Sequence, residues 1–154
     1  RLGADDLSVT FGAARIRGLK DRFILKVLHP RLARDPETRA AFIESSKSVK
    51  SVWSTSFARI LEIGDELGTG GDPYIIYEQV KGENLAEVLA QEQGMRPREA
   101  LDIARKIGVT LDNAHKKGVV HRHLKPARIC IKKQGLGGAV KILDLGFACI
   151  PPRA

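Results

Sequence analysis

The amino-acid sequence predicts an α+β fold, a β-rich first half followed by a helical second half with a cleft at their junction. Three observations carry that reading. Short β-branched and aromatic runs punctuated by glycine fill the first eighty residues, apolar spacing turns helical from Asn84, and a strand–turn–strand pattern lies near the end. The 154 residues are 43% hydrophobic and 29% charged, enough apolar material for a packed core and too much for a disordered chain.

The runs 7–11, 14–17 and 22–28, with Gly12 and Gly18 between them, read as a small antiparallel sheet. Asp35 offers a side-chain acceptor just before Pro36, a residue suited to the first helical position, so a helix is expected from there to about Trp53. Phe42, Val49, Val52 and Trp53 mark its inner face, which Ser45 and Ser46 interrupt. Strands are expected over 59–64 and 74–79, separated by the turn-rich stretch from Gly68 to Pro73. Asn84 and Glu87 have capping-box spacing for a short helix to Gln91, and Pro97 opens a longer one to about Lys117. That longer helix has Leu101, Ala104, Ile107, Leu111 and Ala114 on one side and Ile103 and Val109 on others, the mark of burial against more than one neighbour. A hairpin of 128–132 and 140–143 is expected to turn at 134–138.

The formal net charge of +8 is unevenly spread: residues 51–100 carry four Lys/Arg against nine Asp/Glu, residues 101–154 eleven against three. The cluster Lys116, Lys117, Arg122, Lys125, Arg128, Lys132 and Lys133 suits phosphate or an acidic partner, or is simply a solvated face. With no aromatic interleaving and no zinc signature, nucleic acid is disfavoured. No stretch has the roughly 20 apolar residues of a membrane span, and Arg1 begins no signal peptide, which fits a cytoplasmic piece of a longer polypeptide. Cys130 and Cys149 sit in apolar surroundings without metal-ligand spacing and read as small buried hydrophobes.

Four segments in order, Phe23 to Pro30, Tyr74 to Gly82, His121 to Ile129 and Val140 to Gly146, carry a more specific signal. They resemble the phosphate-lysine strand, the hinge, the catalytic loop and the metal-binding segment of bacterial Ser/Thr protein kinases. The resemblance implies a protein-kinase-like fold, with an antiparallel sheet lobe and hinge over 1–80 and part of a helical lobe over 81–154, ending just after the metal-binding segment. It also implies which residues stand where phosphates, metal ions and the acceptor hydroxyl are handled.

Several of those positions depart from the family pattern. Asp5, Asp6 and Ser8 fall where the phosphate loop has glycines, and two carboxylates there are expected to repel a triphosphate. Lys26 matches the phosphate lysine, but its helix partner, a glutamate in the family, is Ser45, so Lys26 is expected to lack its usual counter-charge or to be a solvated strand lysine. Ile24 and Tyr77 narrow the adenine pocket. His123 replaces the aspartate that takes the acceptor's proton, although imidazole can serve as a base. Arg128 replaces the second metal-binding asparagine and has no acceptor atom to offer an ion. Lys125 and Asp144 match a phosphate contact and a single metal ligand, Asp144 being equally readable as an acceptor of backbone N–H groups in a tight turn. Val49, His121 and Leu145 match the hydrophobic regulatory spine, and Cys130 a residue below the adenine.

From these departures the expected function is a catalytically inactive, non-enzymatic signalling or scaffold domain of the kinase fold. No cofactor or metal is expected, and a protein partner or self-association is expected to cover the incomplete helical lobe. The alternatives are a divergent ATP-dependent kinase or transferase using His123 and Asp144, and a phospho-partner or anion site at the basic loop.

Overall fold

The computed structural model describes residues 1–5, 7–14, 22–50, 52, 54–65, 71–132 and 138–147. Expectations that fall on Asp6, 15–18, Trp53, Gly68 to Gly70, Lys133, 134–137 and Cys149 lie outside these residues.

The first half is a five-stranded antiparallel sheet. Its strands are β1 (Gly3–Ala4), β2 (Ser8–Ala14), β3 (Arg22–Leu28), β4 (Ile60–Gly64) and β5 (Tyr74–Glu78), in the spatial order β1-β2-β3-β5-β4. Gly12 does not end a run as expected. It pairs with Ile24 inside β2, and the Leu2 side chain packs over the space its missing Cβ leaves.

Between β3 and β4 come a single helical turn, α1 (Pro30–Ala33), and the longer α2 (Pro36–Lys50). Asp35 caps α2 as its sequence position requires, accepting from the Thr38 amide at 3.1 Å and from the Thr38 hydroxyl. The turn α1 has no periodic signature in the sequence, and its N-terminus is capped by His29, whose Nδ1 accepts from the Arg31 amide at 3.4 Å. Phe42 of α2 is fully buried, its ring edge-on to Phe147 at 5.0 Å between centroids, within a core that includes Leu28, Ala58, Ile75 and Tyr77. Ser46, the polar interruption in this face, is also fully buried and returns its hydroxyl to the Phe42 carbonyl at 2.6 Å, so it introduces no unsatisfied group.

The second half holds β6 (Glu83–Asn84), α3 (Leu85–Gln91), α4 (Pro97–His115), a 3-10 turn (Pro126–Arg128), β7 (Ile129–Lys132) and β8 (Ala139–Ile142), with β6, β7 and β8 forming a second antiparallel sheet. The Asn84–Glu87 capping box is formed in both directions. Helix α4 ends in a Schellman arrangement. Gly118, at φ +75°, donates to the His115 carbonyl, and Val119 donates to the Ala114 carbonyl at 3.0 Å.

The buried stripe of α4 runs through Ile103, Thr110 and Ala114, with Ile107 and Leu111 partly covered. Leu101, expected on the inner side, is instead 72% exposed, and Val109 is 55% exposed. The spacing 103-107-110-114 follows one face, and Leu101 and Val109 fall off it. No helix of the described residues is long and apolar enough to cross a membrane.

The two sheets are stitched together next to the cleft. Phe57 forms an isolated parallel bridge with Ile142, Ala58 donates to the Ile142 carbonyl at 2.9 Å, and Ile142 donates to the Ser56 carbonyl at 2.8 Å.

Candidate active site

At the junction of the two halves, four charged side chains from distant parts of the chain meet. Lys26 lies mid-strand on β3, paired with Thr10 and Ile75 on either side, and its side chain is buried. A buried ammonium needs a counter-charge, and Asp144 supplies it: Lys26 Nζ lies 2.5 Å from Asp144 Oδ2. Lys26 was expected to lack a partner because Ser45 replaces one. Its partner comes instead from the segment after β8, while Ser45 turns its hydroxyl to the Phe42 carbonyl within its own helix.

Asp144 is held at φ +62°, a left-handed conformation that Asp tolerates better than most residues, and its carbonyl accepts from the Phe147 amide at 3.2 Å. Its side chain accepts from two cations, Lys26 and Arg128.

Arg128 closes the 3-10 turn and is 4% exposed. Its guanidinium reaches three acceptors: Asp144 Oδ2 from Nε at 3.0 Å, Asp5 Oδ2 from Nη2 at 2.6 Å, and the His123 carbonyl from Nη1 at 3.0 Å. Arg128 is therefore no part of a solvated basic face. Its backbone is fixed as well, since its carbonyl accepts from the Leu143 amide at 2.8 Å.

Asp5 sits in the turn between β1 and β2. Its Oδ1 accepts from the amides of Leu7 (3.0 Å) and Ser8 (2.8 Å), and its Oδ2 receives Arg128. Partial burial alone would raise its carboxyl; the two amides, Lys26 and Arg128 outweigh that and bring it down to about 2. The carboxylate expected to repel a triphosphate is ionised and paired with Arg128.

In the catalytic-loop segment, His121 is buried, with Nε2 at 2.8 Å from the Leu143 carbonyl, which places its proton on that nitrogen. Burial lowers its basicity. His123 is half-buried, and burial, then Arg128 and Lys125, lower its basicity too, so its imidazole is neutral at pH 7 and able to accept a proton. Lys125 is exposed and stands outside the ion-pair network.

Around this centre, Val49 and Leu145 share one buried cluster, and the Tyr77 hydroxyl donates to the Leu145 carbonyl at 3.1 Å, holding the segment after Asp144 against β5. Ile24 is half-buried against the core of Leu28, Phe42 and Tyr77. Cys130 is buried, and burial pushes its thiol up, as befits a small hydrophobe. It lines a shallow pocket with the hinge residues Glu78, Gln79, Val80 and Lys81. Two contacts had no local signature. One is the Asp5–Arg128 pair; the other is an ion pair from Lys141 to Glu78 that ties β8 to the hinge. Their only sequence signal was a pair of opposite charges far apart in the chain.

A divalent cation bridging Asp144 and position 128 does not fit these residues. The guanidinium brings only donors where an ion would need an acceptor, and it sits against one of the two Asp144 carboxylate oxygens. Among the described residues, no group of three or more His, Cys, Asp or Glu side chains converges to hold a metal ion.

Comparison with known proteins reaches the same architecture. The sequence model of the protein kinase domain matches residues 9–153. The serine/threonine-protein kinase PknB of Mycobacterium leprae is 32% identical over 148 residues, covering 96% of this chain and 23% of that protein. A probable serine/threonine-protein kinase PknB of Corynebacterium glutamicum is 34% identical over 126 residues, covering 80% of this chain and 19% of that protein. The chain thus spans about a fifth of the length of these relatives. The crystal structure of the Mycobacterium tuberculosis PknI kinase domain superposes with a TM-score of 0.78 at 24% identity, over 96% of this chain and 56% of that one, a likeness of fold.

These findings overturn the expectation of an inactive, non-enzymatic scaffold. The relatives are named as protein kinases, and among the departures on which that expectation rested, Asp5 and Arg128 pair with each other, while Lys26, which Ser45 was expected to leave without a counter-charge, pairs with Asp144. With a family match over most of its length and curated relatives above 30% identity, this chain belongs to the protein kinase domain family.

Proposed function

We propose that this chain is the nucleotide-handling part of a divergent ATP-dependent kinase acting on Ser or Thr hydroxyls of proteins, with residues 1–80 as the sheet lobe and hinge and 81–154 as the adjoining part of the helical lobe. The observation that carries it is the Lys26–Asp144 contact at 2.5 Å, which brings the two best-kept family positions into one buried pair between the two halves. The names of the relatives support the same reaction class.

In that reaction the acceptor oxygen attacks the γ-phosphorus while the bond from phosphorus to the β–γ bridging oxygen breaks, and ADP departs. Charge spreads over the phosphoryl oxygens in the transition state, so fixed cations aimed there lower the barrier. Lys26 and Arg128 are such cations, and Asp144 positions both. In this reading the exposed Lys125 contacts the γ-phosphate, and His123, its basicity lowered, takes the hydroxyl proton. A module of this kind works where ATP is, in the cytoplasm.

The test is transfer of radiolabelled γ-phosphate to a protein acceptor by the full-length protein. Transfer that disappears in Asp144→Ala and Lys26→Met is the expected result. Absence of transfer by the unaltered protein over a panel of protein acceptors, itself included, overturns the proposal.

A further inference from the structure

Arg128 is the least exposed of the four charged groups at the cleft and the one with the most acceptors around it: two carboxylates and a carbonyl. One of these acceptors differs in kind from the others. Asp144 and the His123 carbonyl belong to the same half of the molecule as Arg128, close to it in the chain, whereas Asp5 reaches it from the turn between β1 and β2, 123 residues away. The Asp5 carboxylate also feels Lys26, so it sits within the field of two cations. An oxyanion is thus already present where a phosphate loop would lie over the cleft, held by a guanidinium whose planar fork suits phosphate as well as carboxylate.

We infer that Arg128 and Lys26 form a phosphate-binding site for a nucleoside triphosphate, that Arg128 does the work of a bridging divalent cation there, and that Asp5 occupies the site as an internal competitor until nucleotide displaces it. The inference rests on the kinase reading above and adds to it a ligand contact and a gate. It follows from the misfit already described: position 128 offers an ion no acceptor, and its permanent cation already sits against one Asp144 oxygen. A phosphate arriving at Arg128 finds positive charge in place, and the cost of binding is the release of Asp5. That release leaves the turn intact, because Oδ1, the oxygen that accepts from Leu7 and Ser8, is not the one that binds Arg128.

Asp5→Asn separates the two roles. An asparagine Oδ1 still accepts the two amides, while the charge facing Arg128 is gone. Binding of ATP to the full-length protein is measured by calorimetry, in EDTA and in Mg²⁺. The expected result is that ATP binds in EDTA, that Asp5→Asn tightens this binding by about tenfold, and that Arg128→Gln weakens it by about tenfold or more. Adenosine, which lacks phosphate, should bind the unaltered protein and Asp5→Asn equally. ATP binding that needs Mg²⁺ and is indifferent to Asp5→Asn overturns the inference and leaves the kinase reading standing. An equal gain for adenosine overturns it too, since the effect would then lie outside the phosphates. Failure of ATP to bind under either condition removes both. Because Arg128→Gln also removes two buried ion pairs, its thermal unfolding is followed alongside, and the Asp5→Asn result decides alone if the glutamine variant unfolds.

Discussion

Lys26 and Asp144 stand 118 positions apart in the chain and 2.5 Å apart in the cleft, and the oxygen that receives Lys26 also receives Arg128. One carboxylate oxygen therefore balances two buried cations. Removing it leaves buried Lys26 without its ion-pair partner and Arg128 with Asp5 alone, a larger penalty than the pair's net worth.

Asp144→Ala is therefore expected to lower folding stability by about 3–5 kcal/mol as well as abolish phosphoryl transfer. Urea unfolding of the two proteins measures the first effect. If the midpoint does not move, the network does not hold the cleft together.

Asp5 makes stability depend on acid. Its carboxyl ionises at about 2 in the folded protein against 3.8 for an unperturbed side chain, so its contribution is fully present above about pH 4 and is lost as pH falls toward 2. Unfolding followed across pH 2–5 should show that loss, with a shallower slope in Asp5→Asn.

The two histidines act at higher pH. Burial depresses His121 and His123 below 6.5, so the unfolded chain binds protons that the folded chain does not. Stability is expected to rise as pH climbs from the depressed folded values through 6.5 and to level off above, and His121→Gln should flatten part of that rise in thermal unfolding.

At His123 the readout is chemical. Loss of a proton acceptor costs typically 10²–10⁴-fold in rate, so His123→Ala should reduce kcat by about that range with little change in KM, and His123→Asp should restore most of it. Equal rates for His123→Ala and the unaltered protein would remove His123 from the proposed chemistry.

Gly82, at the end of the hinge, has φ +146°, and a Cβ there would meet the Ile131 carbonyl oxygen at 2.6 Å and Cys130 Sγ at 2.8 Å. The clash is mainly with backbone, which cannot move aside cheaply. Gly82→Ala is expected to cost about 2 kcal/mol or more, read as a fall in Tm.

What the sequence made legible follows from the range over which each signal acts. Asp35 and the Asn84–Glu87 pair cap helices three residues away, and those caps formed as read. Tyr74 to Glu78 and Arg22 to Leu28 are built mostly of aromatic, β-branched and aliphatic residues, and their bounds shifted little. Helix α1, a single turn, has too few residues for a period to show. On α4, Leu101 and Ile103 are equally apolar, and only the neighbours decide which is buried. In the site, family spacing singled out Lys26 and Asp144, but the Asp5–Arg128 pair spans 123 residues, and each member alone looks like a defect. Two departures that cancel are visible only when they are seen side by side.

The backbone stitch from Ser56 and Ala58 to Ile142 lies two residues before Asp144, and it also sets the mechanics of the cleft. It works as a pin. If the two halves swing apart, atoms near the pin travel least and those far from it travel most. Asp144, two residues from the pin, would then move little, while Asp5, in the β1–β2 turn at the sheet edge opposite β4, would move further. A small rotation would free the guanidinium from Asp5 without parting it from Asp144, a lever whose short arm carries the fixed charge and whose long arm carries the removable one.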